Sequence, residues 1–380
     1  MKSVLLIGAG EMQVPLIRQA KKMGYRTVVA DFDPTAPGFI YADVVSYAST
    51  IDMNAIYNLA LSENVDAVCT SSDYPVRTVA YVCEKLGLPG LSQESAEIVT
   101  NKYLQREKFS KNKLFTPGYR LIHDKSDLKK CEELHMPLIV KPVDSSASRG
   151  VIKIETLDSL TDAYSYAAEY SRTGDVIVEE FIEGREFSVE VLIQNHIPNI
   201  IAVTEKFTDG VNNKFFVEEK HLIPARISAD EYKEFETVVS KAVISIGLNN
   251  SAAHVELKIS NRGLFIIEIA GRLGGDYITS DLVPLATGVN MLSNVLEIAL
   301  GNNINTIKTK NNFAGICFLT PQNYTVTIER IRKMNQNEKI ISKEVKEFKD
   351  GMELKSSLDR LGHYIFCTND MNEISKLMQI

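Results

Sequence analysis

Two acidic side chains sit at positions where apolar residues belong. Glu256 stands in HVELKI and Glu268 in LFIIEI. Both runs read as short strands, joined by a tight turn at Asn261-Arg262-Gly263. A charge at an otherwise apolar sheet position is costly unless something pairs with it. Two such acids on paired strands can converge on one cation. The second strand then runs into Arg272 and the pair Gly274-Gly275, a turn able to set a cation beside an anion. The chemistry this predicts is a magnesium–nucleotide site. The alternative is a surface hairpin whose acids face water, and the rest of the chain has to decide.

Upstream stretches add cations and a flexible loop. Lys141 ends the apolar run PLIVK and is fixed by Pro142 after it, so it is aimed at an anion or snorkels to the surface. Lys102 lies in the first turn of a polar helix, TNKYLQREKFSKN. Between two strands, DSSASRGV offers Ser145, Ser146, Ser148, Arg149 and Gly150, a loop of small residues with free amides and hydroxyls suited to phosphates. It is not a Walker loop, because it has no GKS/T and joins strand to strand. In VEEFIEGREFSVEVLI, Glu179, Glu180, Glu183 and Glu186 gather around Gly184, and FSVEVLI alternates like a strand with one buried face.

The elements that must position these groups begin with SVLLIG, a buried strand followed by a glycine turn, a helix over Val14 to Met23 and the strand TVVAD. GAGEMQ opens like a dinucleotide fingerprint, but Gln13 stands where the third glycine belongs, which disfavours a nicotinamide oxidoreductase. Further strands are read at DVVSYA and DAVCTSS, and helices at Met53 to Ser62 and Val76 to Leu86. Open α/β folds bind ligands beyond the C-terminal ends of their strands, where Gly10, Glu11, Asp31, Ser72 and Asp73 fall. Later come a helix from Ser228 to Gly247, a helical stretch ending at Gly301, and an α+β tail whose KEVKEFKDG reads as solvated surface.

The totals bound the class. With 380 residues the chain needs two or three domains. A net charge of −7 makes no electrostatic case for nucleic acid. No apolar run approaches the ~18–20 residues that span a bilayer, so no membrane partner is expected. The five cysteines show no metal or CxxC spacing, which predicts reduced thiols in a cytoplasm.

In this order, NKYLQR, IVKP, DSSASRGV, VEEFIEGREFSVE, HVELKI and IEIAGRLGG resemble the ATP-grasp superfamily. The likeness is greatest to L-amino-acid ligases and other carboxylate–amine ligases, with carbamoyl-phosphate-synthase-like members also similar. The N-terminal stretch looks like that of purine-synthesis ligases and carboxylases. The resemblance implies an α/β parallel-sheet domain over about 1–97. It then implies an α+β ATP-grasp fold over about 98–305, two lobes clasping ATP with a mobile lid at about 115–178. A small α+β region would close the chain over about 306–380.

It also implies roles. Lys102 and Lys141 would contact phosphates, and Ser145 to Gly150 would close over them. Glu179 would meet the adenine amino group, with Glu180, Phe181 and Ile182 forming the adenine hinge and Glu186 holding the ribose. Glu256 and Glu268 would ligate Mg2+ (Mn2+ as substitute), and Arg272 would steady the transferred phosphoryl group. Gly10, Glu11, Ser72, Asp73, Gly274 and Gly275 would face the substrates.

Ala270 replaces an asparagine that many members use as a second-metal ligand, so the metal count stays open. His254 reads as a structural histidine rather than a ligand. The implied activity is ATP-dependent joining of a small carboxylate to an amine through an acyl phosphate, in a possible homodimer. A bicarbonate-using carboxylase or carbamoyl-phosphate-type enzyme, and a non-catalytic nucleotide-binding regulator, are the alternatives.

Overall fold

The computed structural model describes residues 1–208, 217–333, 339–349, 351–354 and 356–378. Three sheets organise them. The first contains β1 (Ser3–Ile7), β2 (Arg26–Ala30), β3 (Val44–Ser46) and β4 (Ala67–Cys69), all parallel, in the order β3-β2-β1-β4. Every residue of β1 is buried, as a continuous apolar run in a central parallel strand demands. The helices α1 (Val14–Lys22), α2 (Met53–Ser62) and α3 (Val76–Leu86) follow the expected βα rhythm. Two more helices, α4 (Gln93–Val99) and α5 (Lys102–Lys111), lead away, the second capped by the Asn101 side chain.

The second sheet is antiparallel, with β5 (Tyr119–Ile122), β6 (Leu138–Pro142), β7 (Ile152–Ile154) and β8 (Val176–Glu180) in the order β5-β8-β6-β7. It has its own small core around Ile122, Leu138, Val140 and Val178, closed by α6 (Leu160–Glu169).

The third sheet runs β13-β12-β9-β10-β11-β14-β16-β15. Its strands are β9 (Arg185–Gln194), β10 (Ile197–Thr208), β11 (Glu218–Ile223), β12 (Ser251–Ser260), β13 (Gly263–Ala270), β14 (Phe313–Leu319), β15 (Ile340–Val345) and β16 (Gly362–Thr368). Period-two alternation gives it two unlike faces. Phe187, Val189, Val191, Val255 and Leu257 pack on α7 (Ala229–Ile246), which starts in a Ser228–Glu231 capping box. The opposite face carries Glu186, Ser188, Glu190, Thr204, Lys206, His254, Glu256 and Glu268, which share cross-strand registers.

Two expectations change. β9 is buried on both faces, because the turn after β13 lies against Glu190 on its polar side as well. The helical stretch before Gly301 is broken into α8 (Val283–Thr287) and α9 (Met291–Ala299), since Gly288 has φ +81 and Asn290 caps a new helix. The small α+β tail joins the body of the fold through its strands. β14 pairs with β11, so its strands extend the third sheet. Among the described residues no single helix is long and apolar enough to cross a membrane.

Candidate functional site

A cavity of about 710 Å³ lies where the three sheets meet. Glu256 and Glu268 are direct register partners on β12 and β13, so both carboxylates project from one face into it. Lys206 Nζ sits 2.8 Å from Glu256 Oε1, and Lys102 Nζ lies 2.9 Å from Glu268 Oε1. Burial alone would raise the Glu256 pKa, but Lys206 and His254 hold it well below the usual carboxylate range. Lys206, wholly buried, would lose its proton more easily for that reason. The Glu218, Glu256 and Glu186 carboxylates instead hold it well above its ordinary value.

β6 delivers Lys141 and β8 delivers Glu179, with Nζ and Oε2 2.7 Å apart. On its other side Glu179 meets Arg106 of α5, which is fully buried. Burial pushes the Lys141 pKa down, and the Arg106 and Lys102 charges add to that, against the pull of Glu179 and Glu268. The Glu179 carboxylate, expected to meet an adenine amino group, is thus held between two cations, though it still lines the cavity. Lys102 also donates to the Ser145 carbonyl at 2.7 Å, which ties α5 to the small-residue loop.

That loop supplies Ser145, Ser146, Ser148 and Arg149 to the cavity wall. Arg149 bonds the Tyr74 hydroxyl, and the Arg149 and Arg172 guanidinium groups both lie over the Tyr74 ring, at 5.4 and 5.2 Å from its centroid. On the far rim, Glu180, Phe181, Ile182 and Glu186 complete the hinge stretch. Glu186 bonds Lys258 at 3.2 Å, and the Phe181 ring has Lys153 and Lys258 over it.

The turn after β13 is tied from two sides. Arg272 is paired with Asp73 of the first sheet's loop, and the Gly274 N–H donates to Glu190. A Cβ at Gly274 would lie 2.7 Å from Glu190 and His254, so only glycine fits this close approach. His254 Nδ1 is 2.6 Å from Glu190, and the Glu190 and Glu256 carboxylates raise its pKa to about 9 against burial. Its two ring nitrogens face the Glu190 and Glu256 carboxylates, the setting of a structural histidine.

Of the expected positions, Gly10, Gly150 and Gly274 do not line the cavity, whereas Glu11, Ser72, Asp73 and Gly275 do. Lys206, His221, Asp276, Tyr74 and Arg360 escaped the sequence reading. Only Lys206 left a signal there, a lysine inside an apolar strand like Lys141.

The acids offer hard oxygens, which suits magnesium bound by one or two carboxylates together with phosphate and water. Among the described residues no group of three or more His, Cys, Asp or Glu side chains is set to hold a metal by itself. Glu256 and Glu268 therefore fit an ion whose other ligands come with a nucleotide.

Residues 134–281 match the family model of the ATP-grasp domain, so the chain carries an ATP-grasp domain. The likeness to solved structures extends over the whole chain and shows the ATP-grasp fold. L-amino acid ligase from Bacillus licheniformis superimposes with TM-score 0.81 at 19% identity, covering 100% of this chain and 96% of that one. The biotin carboxylase domain dimer of Hydrogenobacter thermophilus 2-oxoglutarate carboxylase, solved with ADP, its magnesium salt and bicarbonate, gives 0.74 at 19%, covering 97% and 86%. In sequence, alanine–anticapsin ligase of Bacillus subtilis (strain 168) is 27% identical over 241 residues, 58% of this chain and 51% of that protein. The chain spans about half the length of the curated relatives of that name.

Proposed function

We propose that the cavity binds magnesium–ATP and that the chain is an ATP-dependent carboxylate–amine ligase, forming an amide or peptide bond and releasing ADP and phosphate. The observation that carries this reading is the register pair Glu256–Glu268, set opposite Lys102 and Lys141 in one cavity with Arg272 at its edge.

A carboxylate does not react with an amine directly, because its leaving group would be oxide. Conversion to an acyl phosphate makes the leaving group inorganic phosphate. Three demands follow: phosphate charge must be neutralised, the carboxylate held in line, and water excluded. Lys102 and Lys141 supply the first, with Glu256 and Glu268 holding magnesium, a hard cation for phosphate oxygens. Arg272 steadies the group being transferred. Residues 115–178 act as a lid, and its loop from Ser145 to Gly150 covers the phosphates. Glu180 to Ile182 receive the adenine and Glu186 the ribose. Glu11, Ser72, Asp73 and Gly275 border the substrates. Similarity to alanine–anticapsin ligase and to L-amino acid ligase supports amide formation.

The second reading is bicarbonate in place of a larger carboxylate, favoured by the fold's likeness to a carboxylase domain solved with bicarbonate. The test is ADP and phosphate release across a panel of amino acids, other carboxylates, amines and bicarbonate. Stimulation by a carboxylate–amine pair supports the ligase; stimulation by bicarbonate alone replaces it with the second reading.

A further inference from the structure

The cavity extends past the two metal-binding acids to a corner that the roles above leave unused. β11 brings Glu218 and His221 there, the turn after β13 brings Asp276, and the segment entering β16 brings Arg360. Arg360 Nη1 donates to Asp276 Oδ2 at 2.7 Å, and its Nη2 to Glu218 Oε2 at 3.0 Å. Its guanidinium carbon lies 3.8 Å from the centroid of the Phe318 ring. Held by two acids and an aromatic floor, and itself buried, Arg360 is a fixed cation behind Asp276.

Asp276 faces the cavity, its side chain 34% exposed. His221 lines the same corner, fully buried, and neither ring nitrogen has a hydrogen-bond partner; Nε2 is 3.7 Å from Asp276 Oδ2. An unpaired buried imidazole is costly and marks a place where a partner is missing. The backbone is strained at the same spot. Asp276 and Tyr277 take φ +50 and +63, the left-handed region, in succession. Such geometry persists where surrounding contacts over-determine it, typically at a ligand site.

The field of the corner selects the sign of the ligand. Burial and the Glu344, Asp281, Glu11 and Asp276 carboxylates push the Tyr277 hydroxyl up to about 12. Asp276 turns the open part of its carboxylate to the cavity, and a carboxylate there welcomes a cation or N–H donor. Although burial opposes it, the Arg360 guanidinium holds Asp276 far below the usual carboxylate range, so it acts only as an acceptor.

We propose that this corner is the subsite for the amino group of the acceptor substrate, with Asp276 and the free His221 ring nitrogen accepting its N–H bonds and Arg360 positioning Asp276. This assignment rests on the ligase reading and adds to it a class of ligand, a primary amine or its ammonium form. Asp276 lies in the same turn as Arg272, so one loop would set the amine beside the activated carboxylate.

The test is steady-state kinetics of the full chain with the pair found in the turnover screen, using methylammonium chloride as the minimal probe. In the wild type, methylammonium is expected to compete with the amine substrate and not with ATP. Asp276→Asn is expected to raise KM for the amine and weaken methylammonium inhibition by about 10- to 100-fold, the worth of a hydrogen bond to a charge. Its KM for ATP and for the carboxylate should move by less than about threefold. His221→Gln, a milder change, should shift the amine KM in the same direction. A magnesium–ATP-induced thermal shift in each variant confirms that it is folded. The assignment is overturned if the amine KM is unchanged in both folded variants, or if all three KM values rise together. If no carboxylate–amine pair turns over in the wild type, the ligase reading fails and this assignment with it. If the wild type turns over and only the amine KM refuses to move, the ligase reading stands and this assignment alone is lost.

Discussion

Arg272 closes a two-pronged pair on Asp73. Its Nε donates to Oδ1 at 2.7 Å and its Nη2 to Oδ2 at 2.8 Å, between positions 199 apart in the chain. The pair joins the turn after β13 to the loop after β4, so the first sheet forms one wall of the site. Such fork geometry is specific to arginine and a carboxylate.

Replacing Asp73 by Asn should lower turnover and give a pH-dependent loss of stability. Burial would raise the Asp73 pKa, but Arg272 holds it below its ordinary 3.8. A lowered carboxylate stabilises the fold fully above 3.8, and that contribution disappears as pH falls through the folded value. Urea unfolding of the two proteins should differ at neutral pH and converge in acid. Equal stabilities throughout would remove the pair from the account.

Glu179 should matter to the fold before it matters to chemistry. It is 2% exposed and sits between Arg106 and Lys141. Glu179→Ala leaves two buried cations without their anion, a loss of about 3–5 kcal/mol for a broken buried pair. Chemical denaturation measures it, and a loss below about 1 kcal/mol would mean that water already screens the group.

Tyr74 joins the first sheet to the small-residue loop through Arg149 and to the segment after α6 through Arg172. Under the proposed lid role, Tyr74→Ala should loosen the loop from Ser145 to Gly150 and admit water. The expected result is ADP release that exceeds product formation, whereas Tyr74→Phe, which keeps the ring, should stay nearer to wild-type coupling. Tight coupling in both variants would show that the contact does not gate the site.

Glu268→Gln should keep the fold and lower turnover by about 100-fold or more, the scale for losing a group that acts on transition-state charge. Circular dichroism checks the first half and ADP release the second. Near-normal activity would make the metal assignment wrong.

Much of the site was legible because its residues violate local expectation. Glu256, Glu268 and Lys141 are charges in apolar strands, and the structure places all three on the cavity. Period-two alternation tells which face a side chain takes, but not which strands lie beside it. That is why Arg106, 73 positions before Glu179, and Arg360, 84 after Asp276, gave no warning. The same limit hid the joining of β14 to β11, which depends on a long-range pairing between strands with no distinctive residue at the seam. The break at Gly288 was misread because the apolar period continues through it, while the glycine conformation that ends α8 leaves no trace in that pattern.

The most direct test compares ADP release with a carboxylate alone, an amine alone and both together, while counting amide formed. The account predicts that both substrates together give one amide per ADP, and that an amine alone gives neither. Equal ADP release whatever the acceptor, or ADP without amide when both are present, would contradict it.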